Sequence, residues 1–84
     1  MITTVYILYS SVHDRYYIGQ TENIDKRIER HNSGTEKSTA PYIPWQIIWT
    51  TQKQTRAEAV ELERKLKNLS RNRLTAIIEK HGAK

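Results

Sequence analysis

With 84 residues, 37% hydrophobic and 27% charged, the chain has the composition of one small globular domain rather than of a disordered segment. It contains no cysteine, which excludes disulfides and thiolate metal sites, and no apolar run approaches the ~18 residues of a membrane span. The net charge of +5 arises in the C-terminal part. Residues 1–52 carry five basic and five acidic side chains, whereas residues 53–84 carry nine basic and four acidic ones. This excess of positive charge favours a polyanionic partner without identifying it.

The N-terminal segment is predicted to form two antiparallel β-strands joined by a hairpin turn. β-Branched and aromatic residues dominate residues 2–10 (ITTVYILYS) and 15–20 (RYYIGQ), and the polar SVHD between them suits a turn. The first segment lacks the basic leader and cleavage site of a signal peptide, so we expect a strand of a cytoplasmic protein. In this hairpin, Tyr6 and Tyr17 can face the same side of the sheet.

A helix is predicted over residues 23–33 and a loop over residues 35–44. Thr21 and Asn23 are candidate N-caps, and Gly34 follows the last turn. The i, i+4, i+7 spacing places three residues on one side of the helix: Ile24, Ile28 and His31. The loop (TEKSTAPYIP) has two prolines and no periodicity, and its length in so small a domain suggests a function.

The next segment, residues 45–50 (WQIIWT), has the composition of a third strand. Simple alternation predicts that Ile48 faces one side and that three residues face the other, Trp45, Ile47 and Trp49. We expect the two tryptophans to pack on the sheet rather than to stack on nucleic-acid bases.

Two helices complete the predicted fold. The first covers residues 56–68, with Thr55 as N-cap, Glu58 as the partner in a capping box, and an apolar stripe of Ala59, Leu62, Leu66 and Leu69. Ser70 is the predicted N-cap of the second helix, which carries the apolar residues Leu74, Ile77 and Ile78 and ends near Gly82. The order ββαβαα predicts an α/β (α+β) fold in which residues 1–84 form one domain, a small three-stranded antiparallel sheet flanked by helices.

Charged side chains border the apolar stripes of both longer helices. Arg27 and His31 form one i, i+4 row at the edge of the first stripe. There the Arg27 guanidinium can bind a phosphate, or it can cover apolar surface and pair with a carboxylate. Glu63, which borders the stripe of the later helix, is the best-placed acid in the chain, and it can hold a magnesium ion or pair with Lys67.

The chain contains five tyrosines and no phenylalanine. Because a buried phenol needs a hydrogen-bond partner, this choice suggests more than packing. Tyr6 and Tyr17 are the pair on neighbouring strands, and a phenol of ordinary pKa that acts as a base at pH 7 must offset about 4 kcal/mol. The alternative is that both rings only pack on the sheet.

Other polar residues are weaker candidates for a site. His13 and His81 have no partner at metal-ligand spacing, and neither is assigned a role. Gly19 either permits the close approach of a backbone or phosphate or marks a bend. A basic row on the last two helices is interpreted as a solvated face, with DNA contact as the second choice: Arg64, Lys65, Lys67, Arg71 and Arg73.

In combination these residues resemble the GIY-YIG nuclease family, in particular its small stand-alone members. The first family motif is matched by TVY at residues 4–6 and the second, intact, by YIG at residues 17–19. The segment NIDKRIERHNSG resembles the arginine-bearing helix, TRAEAVELERKLK the glutamate-bearing helix, and STAPYIPWQIIWT the loop and third strand. The resemblance covers nearly the whole chain. The chain departs from the family pattern at two places. The first motif reads TVY instead of GIY, and Gln20 stands where some members, including excision-repair nucleases, have a lysine.

The resemblance implies a metal-dependent DNA endonuclease that hydrolyses phosphodiester bonds. Tyr6 would accept a proton from the attacking water, Tyr17 would support the phosphate, and Arg27 would stabilise the transition state. Glu63 would bind Mg²⁺ or Mn²⁺, and His31 would orient Tyr6 or act as a base. Three further residues are weaker candidates for substrate contact: Gly19, Gln20 and Lys67.

The implied partner is DNA, with structured or damaged DNA in repair or recombination as a candidate substrate, and with no membrane and no small-molecule cofactor. A domain this small buries only about 60% of the surface of its unfolded chain, so the core is thin and a homodimer stays open. Two alternatives come from other functional classes: a module of the same fold that binds DNA or RNA without cleavage, and a protein-interaction domain.

Overall fold

The chain forms a three-stranded antiparallel sheet with helices on both faces. The structure, a computed structural model, describes residues 2–80. Its elements are β1 (Thr3–Ser10), β2 (Arg15–Thr21), α1 (Ile24–Ser33), a 3₁₀ turn (Ala40–Tyr42), β3 (Gln46–Lys53), α2 (Arg56–Lys67) and α3 (Arg71–Lys80). The predicted order ββαβαα and the α/β (α+β) class are confirmed, while His81 and the predicted helix end near Gly82 lie outside the described residues. None of the three helices described has the length and apolar character of a membrane span.

β1 is the central strand of the sheet, whose order is β2-β1-β3. It runs antiparallel to both neighbours, and Tyr6 pairs with Gly19 of β2 and with Thr50 of β3. Since β1 is paired along both edges and covered on both faces, four consecutive side chains are wholly buried: Val5, Tyr6, Ile7 and Leu8. This position explains why the first strand of the sequence is almost continuously apolar.

The two faces of the sheet carry separate apolar clusters. The cluster beneath α2 and α3 is centred on Val5, Ile7, Ile18, Trp49, Ala59, Leu66 and Leu74. The cluster facing α1 is centred on Tyr6, Leu8 and Trp45, with Tyr17, Ile24, Ile28 and Tyr42 packed against it. Alternation along β1 therefore sends Tyr6 to the α1 face, where Tyr17 also lies, as the sequence predicted.

A β-bulge in β3 changes the predicted facing of the tryptophans. Trp49 and Ile47 pair with consecutive residues of β1, so Ile48 is an extra residue on β3. Beyond the bulge the side chains exchange faces, and Trp45 and Trp49 lie in different clusters. The prediction that they share a face was wrong. Both are nearly fully buried, which confirms that they pack on the sheet.

The helix ends follow the capping residues of the sequence. Asn23, rather than Thr21, is the N-cap of α1, and its side chain accepts a backbone hydrogen bond from three residues on. Gly34 ends α1 in the left-handed conformation, with φ of 83°. Thr55 caps α2 by accepting a hydrogen bond from the backbone N–H of Glu58 at 3.2 Å. These caps set the residues at which α1 and α2 begin and at which α1 ends.

Arg71 attaches the start of α3 to the hairpin turn. Its guanidinium pairs with the Asp14 carboxylate and lies 5.1 Å from the ring centroid of Tyr16. Tyr9 donates a hydrogen bond to the same carboxylate at 2.8 Å. The interpretation of Arg71 as part of a solvated row missed this attachment, because its partner lies 57 residues away along the chain.

Candidate active site

Four of the five predicted catalytic side chains lie together on the α1 face of the sheet. The ring centroids of Tyr6 and Tyr17 are 6.4 Å apart, and the imidazole of His31 lies 6.0 Å from the first ring and 4.9 Å from the second. Arg27 precedes His31 by one helical turn, and its positive charge acts on both phenols. Strand alternation and helix periodicity bring these residues together from 26 positions of the chain.

Gly19 makes room for the hydroxyl group of Tyr6. The two residues are paired across β1 and β2, and a Cβ atom on Gly19 would lie 2.5 Å from the Tyr6 hydroxyl oxygen. The same Cβ would lie 3.1 Å from Cε2 of Tyr17. The close approach that the sequence suggested at this glycine is thus made by a neighbouring side chain, and a substrate contact there stays a prediction.

Gly19→Ala is expected to displace the Tyr6 phenol and to lower the free energy of unfolding by about 1–3 kcal/mol through overpacking. Chemical denaturation measures the loss, and the side-chain NMR signals of Tyr6 and His31 report the displacement. Gly34→Ala is the matched control, since its Cβ meets nothing within 4 Å and its cost of about 1 kcal/mol comes from backbone strain at positive φ. Unchanged Tyr6 signals in Gly19→Ala would contradict the role given to Gly19.

His31 is wholly buried and is hydrogen-bonded at both ring nitrogens. Nε2 lies 3.1 Å from the Tyr6 hydroxyl and Nδ1 lies 3.0 Å from the Thr39 hydroxyl. Burial lowers the pKa of His31, and the nearby positive charge of Arg27 lowers it further, against the opposing charge of Glu36. The imidazole is therefore neutral at pH 7 and can accept a proton.

Arg27 lies between the phenols and solvent. Its side chain is 31% exposed, whereas its Nε is buried and has no hydrogen-bond partner within residues 2–80. The guanidinium lies 4.0 Å from a carboxylate oxygen of Glu36, which Arg30 approaches to 3.8 Å. The sequence offered pairing with a carboxylate as the alternative role of Arg27, and this long contact with Glu36 is the only such pair within residues 2–80. The guanidinium is therefore able to bind another anion.

The phenol of Tyr6 is a weak acid in this site. Burial, reinforced by the neighbouring Tyr17, raises the pKa of Tyr6 to about 12, although Arg27 acts in the opposite direction. Ionising such a phenol at pH 7 costs about 7 kcal/mol, more than the 4 kcal/mol or so expected for an ordinary phenol. Tyr6 is thus a protonated hydrogen-bond donor in the resting protein. Its side chain is fully buried, whereas Tyr17 is partly exposed.

Glu63 stands apart from these four residues in its hydrogen bonds and ion pairs. Its Oε1 accepts a hydrogen bond from Gln20 Nε2 at 3.0 Å, and its Oε2 lies 2.7 Å from Lys67 Nζ. The pairing with Lys67 that the sequence offered as an alternative is therefore present. Within residues 2–80, no three acidic or histidine side chains are grouped to hold a metal ion.

Two open cavities share Arg27 in their walls. One, of about 540 Å³, lies along α1 and is lined by Lys26, Arg27 and Arg30 among other polar residues. The other, of about 380 Å³, is lined by Arg27, Gln20 and Arg56 among other polar residues. Because Gln20 also binds Glu63, it links the wall of the second cavity to that carboxylate.

The sequence interpretation missed two residues that contact the site, Glu36 and Thr39. Both lie in the segment read as a loop, and Trp45 holds that segment by donating its indole N–H to the Thr39 carbonyl at 3.0 Å. Asn32 in turn donates to the carbonyl of Trp45 at 3.1 Å and accepts from its N–H at 2.6 Å. The single sequence signal for this arrangement was the length of the loop.

Known proteins match the chain along most of its length. A model of the GIY-YIG catalytic domain matches residues 3–76, a range that includes the four clustered residues and Glu63. The structure is similar to the solution NMR structure of the UPF0213 protein BH0048 from Bacillus halodurans, with a TM-score of 0.66 and 31% identity. That alignment covers 99% of this chain and 88% of the other. The comparison with curated proteins gave no match.

Proposed function

The chain belongs to the GIY-YIG family of nucleases, and from this membership we propose that it is a magnesium-dependent endonuclease that hydrolyses phosphodiester bonds in DNA. The observation that carries the proposal is the convergence of Tyr6, Tyr17, Arg27 and His31 beside cavities with basic walls. This set offers the two things that phosphodiester hydrolysis needs from side chains, a fixed positive charge and a path for a proton.

Arg27 is proposed to stabilise the negative charge that grows on the phosphate. Its Nε is buried beside the site, while its partly exposed side chain lines both cavities and makes only a long contact with Glu36. A planar guanidinium can donate two parallel hydrogen bonds to phosphate oxygens. Because the charge is already in position, little reorganisation is needed during the reaction.

Tyr6 and His31 are proposed to carry the proton of the attacking water. The Tyr6 oxygen accepts that proton while its own passes to Nε2 of His31, 3.1 Å away, so no phenolate forms beforehand. The water oxygen bonds to phosphorus as the leaving oxygen departs, and Tyr17, at the more exposed position, supports the phosphate. Since Tyr6 is fully buried, this step requires the site to open when DNA binds.

The donor chemistry at Glu63 fits one magnesium ion. A carboxylate oxygen is a ligand that Mg²⁺ prefers, and a single protein carboxylate suffices because the ion keeps several waters and takes oxygens from phosphate. Lys67, which pairs with Glu63, has a side chain 53% exposed and is free to move away. When bound there, the ion would supply Lewis acidity toward the phosphate and neutralise part of its charge.

Two observations favour a second candidate, a module that binds nucleic acid without cleaving it. Tyr6 has no exposed surface, and the Glu63 carboxylate is neutralised by Lys67. Both describe a site that must rearrange before it can react. A protein that binds DNA through Lys26, Arg30 and Arg56 needs no such rearrangement.

Incubation with plasmid, flapped and branched DNA, with and without Mg²⁺ or Mn²⁺, tests the proposal. Cleavage is expected only with the metal, and Glu63→Gln is expected to lower it by about 10²-fold or more because the carboxylate charge is lost. Glu61→Gln is the control, since Glu61 makes the equivalent i, i+4 pair with Lys65 at 3.9 Å on the same helix. Binding without cleavage of every substrate would support the module, and absence of binding would contradict both candidates.

A further inference from the structure

The buried imidazole of His31 is the middle of a hydrogen-bonded chain. The chain runs from the Tyr6 hydroxyl to Nε2 at 3.1 Å, and from Nδ1 to the Thr39 hydroxyl at 3.0 Å. The Thr39 hydroxyl then donates to the backbone carbonyl of Glu36 at 3.4 Å. Tyr6, His31 and Thr39 each have 0% exposed surface, so the chain is shielded from bulk solvent.

One arrangement of protons gives every donor of this chain an acceptor. The Glu36 carbonyl can only accept, and it also receives the backbone N–H groups of Thr39 and Ala40 at 3.1 and 2.8 Å. The Thr39 hydroxyl donates to it as a third and longer contact, and the hydroxyl oxygen is left to accept from Nδ1–H. A neutral imidazole protonated at Nδ1 has its lone pair at Nε2, which accepts the Tyr6 hydroxyl proton. In the other tautomer, Nε2–H points at the Tyr6 oxygen, and the buried Tyr6 proton finds no acceptor within residues 2–80.

The position of the Thr39 hydroxyl is fixed by its own backbone. The Thr39 N–H donates to the Glu36 carbonyl at 3.1 Å, and the Thr39 carbonyl accepts from the indole N–H of Trp45 at 3.0 Å. Trp45 is itself 5% exposed and belongs to the apolar cluster that holds Tyr6. The backbone of Thr39 is therefore held on one side by a turn within the 35–44 segment and on the other by the buried Trp45.

We propose that Thr39 is a positioning residue that holds His31 in the Nδ1–H tautomer and so reserves Nε2 for the proton of Tyr6. The tautomer follows from the hydrogen bonds alone, whereas its consequence for cleavage rests on the proposed function. Thr39 itself touches neither phosphate nor water in this scheme. Its effect on the reaction passes through His31.

Two variants of Thr39 test this role. Thr39→Val keeps the shape of the side chain and removes the hydroxyl, and Thr39→Ser keeps the hydroxyl. Nitrogen-15 NMR of the imidazole is expected to show Nδ1–H in the wild type and in Thr39→Ser, and a shift toward Nε2–H in Thr39→Val. In cleavage assays, Thr39→Val is expected to lower kcat by about tenfold to a hundredfold with KM nearly unchanged, and Thr39→Ser to restore the rate.

The outcomes separate this inference from the proposed function. A wild-type spectrum with Nε2–H, or an unchanged tautomer in a folded Thr39→Val, would overturn the role of Thr39. The wild-type spectrum gives that test even where Thr39→Val does not fold. A tautomer that depends on Thr39 in a protein that cleaves no DNA would support the inference and refute the nuclease.

Discussion

Tyr6→Phe is expected to lower the rate of DNA cleavage by about 10²–10⁴-fold while the protein stays folded. The substitution removes one oxygen, and the ring remains in the apolar cluster with Leu8 and Trp45. His31 loses the partner of Nε2, which lowers the free energy of unfolding by about 1–2 kcal/mol because a buried acceptor is left unsatisfied. Single-turnover cleavage at saturating DNA measures the first effect, and chemical denaturation measures the second.

Tyr9→Phe is the matched control for this experiment. Tyr9 lies on the same strand with its side chain on the other face of the sheet, and its hydroxyl donates to Asp14 at 2.8 Å. The same atom is removed, but it lies outside the proposed proton path, so the cleavage rate is expected to stay within about twofold of the wild type. Rates of Tyr6→Phe equal to those of Tyr9→Phe would remove Tyr6 from the path.

The elements of the fold were predictable because each carries a local signal. Alternation in β1 and β2 and the spacing of apolar residues in α1 are properties of neighbouring residues. The caps Asn23 and Thr55 are likewise read within one turn of the chain. The shared face of Tyr6 and Tyr17 follows from these periodicities and was predicted correctly, whereas the grouping of His31 with the phenols was implied by the family resemblance.

What the sequence did not predict depends on contacts between distant segments. The bulge at Ile48 shifts the pairing of β3 with β1 by one residue, and the amino-acid composition of β3 does not indicate it. The contact of Thr39 with His31 arises because Trp45 anchors an aperiodic segment. Helix geometry placed Glu63 at the border of a stripe and offered Lys67 as its i, i+4 partner, but could not reveal that Gln20, 43 residues away, binds the same carboxylate.

The hydrogen-bond and ion partners of Glu63, Gln20 and Lys67, lie outside the group of phenols, Arg27 and His31, which bears on how the site would work. Four residues act on one another directly on the α1 face, while Glu63 is reached through Gln20. Arg27 and Gln20 line the same cavity, so a phosphate bound at Arg27, as proposed, would lie beside both parts of the site. In this scheme DNA completes the site, which agrees with the opening that the buried Tyr6 requires.

Arg27→Ala is expected to lower the cleavage rate by about 10³-fold, the loss typical of removing a group that stabilises charge in a transition state. The free energy of unfolding is expected to change little, because the contact with Glu36 is long, at 4.0 Å, and partly exposed. Single-turnover rates and chemical denaturation give the two quantities. Arg27→Lys keeps the charge but loses the planar fork, so it is expected to recover only part of the rate.

Arg30→Ala distinguishes catalysis from electrostatic attraction. Arg30 pairs with the same oxygen of Glu36 at 3.8 Å and lines the same cavity, but its side chain is 59% exposed. Unlike Arg27, it is not among the charges that shift the pKa of Tyr6. Its removal is expected to weaken DNA binding and its salt dependence, with the rate at saturating DNA within about threefold of the wild type. If Arg27→Ala behaves in the same way, with binding weakened and the saturated rate retained, then Arg27 serves attraction only. The module that binds without cleaving would then be the better account of these residues.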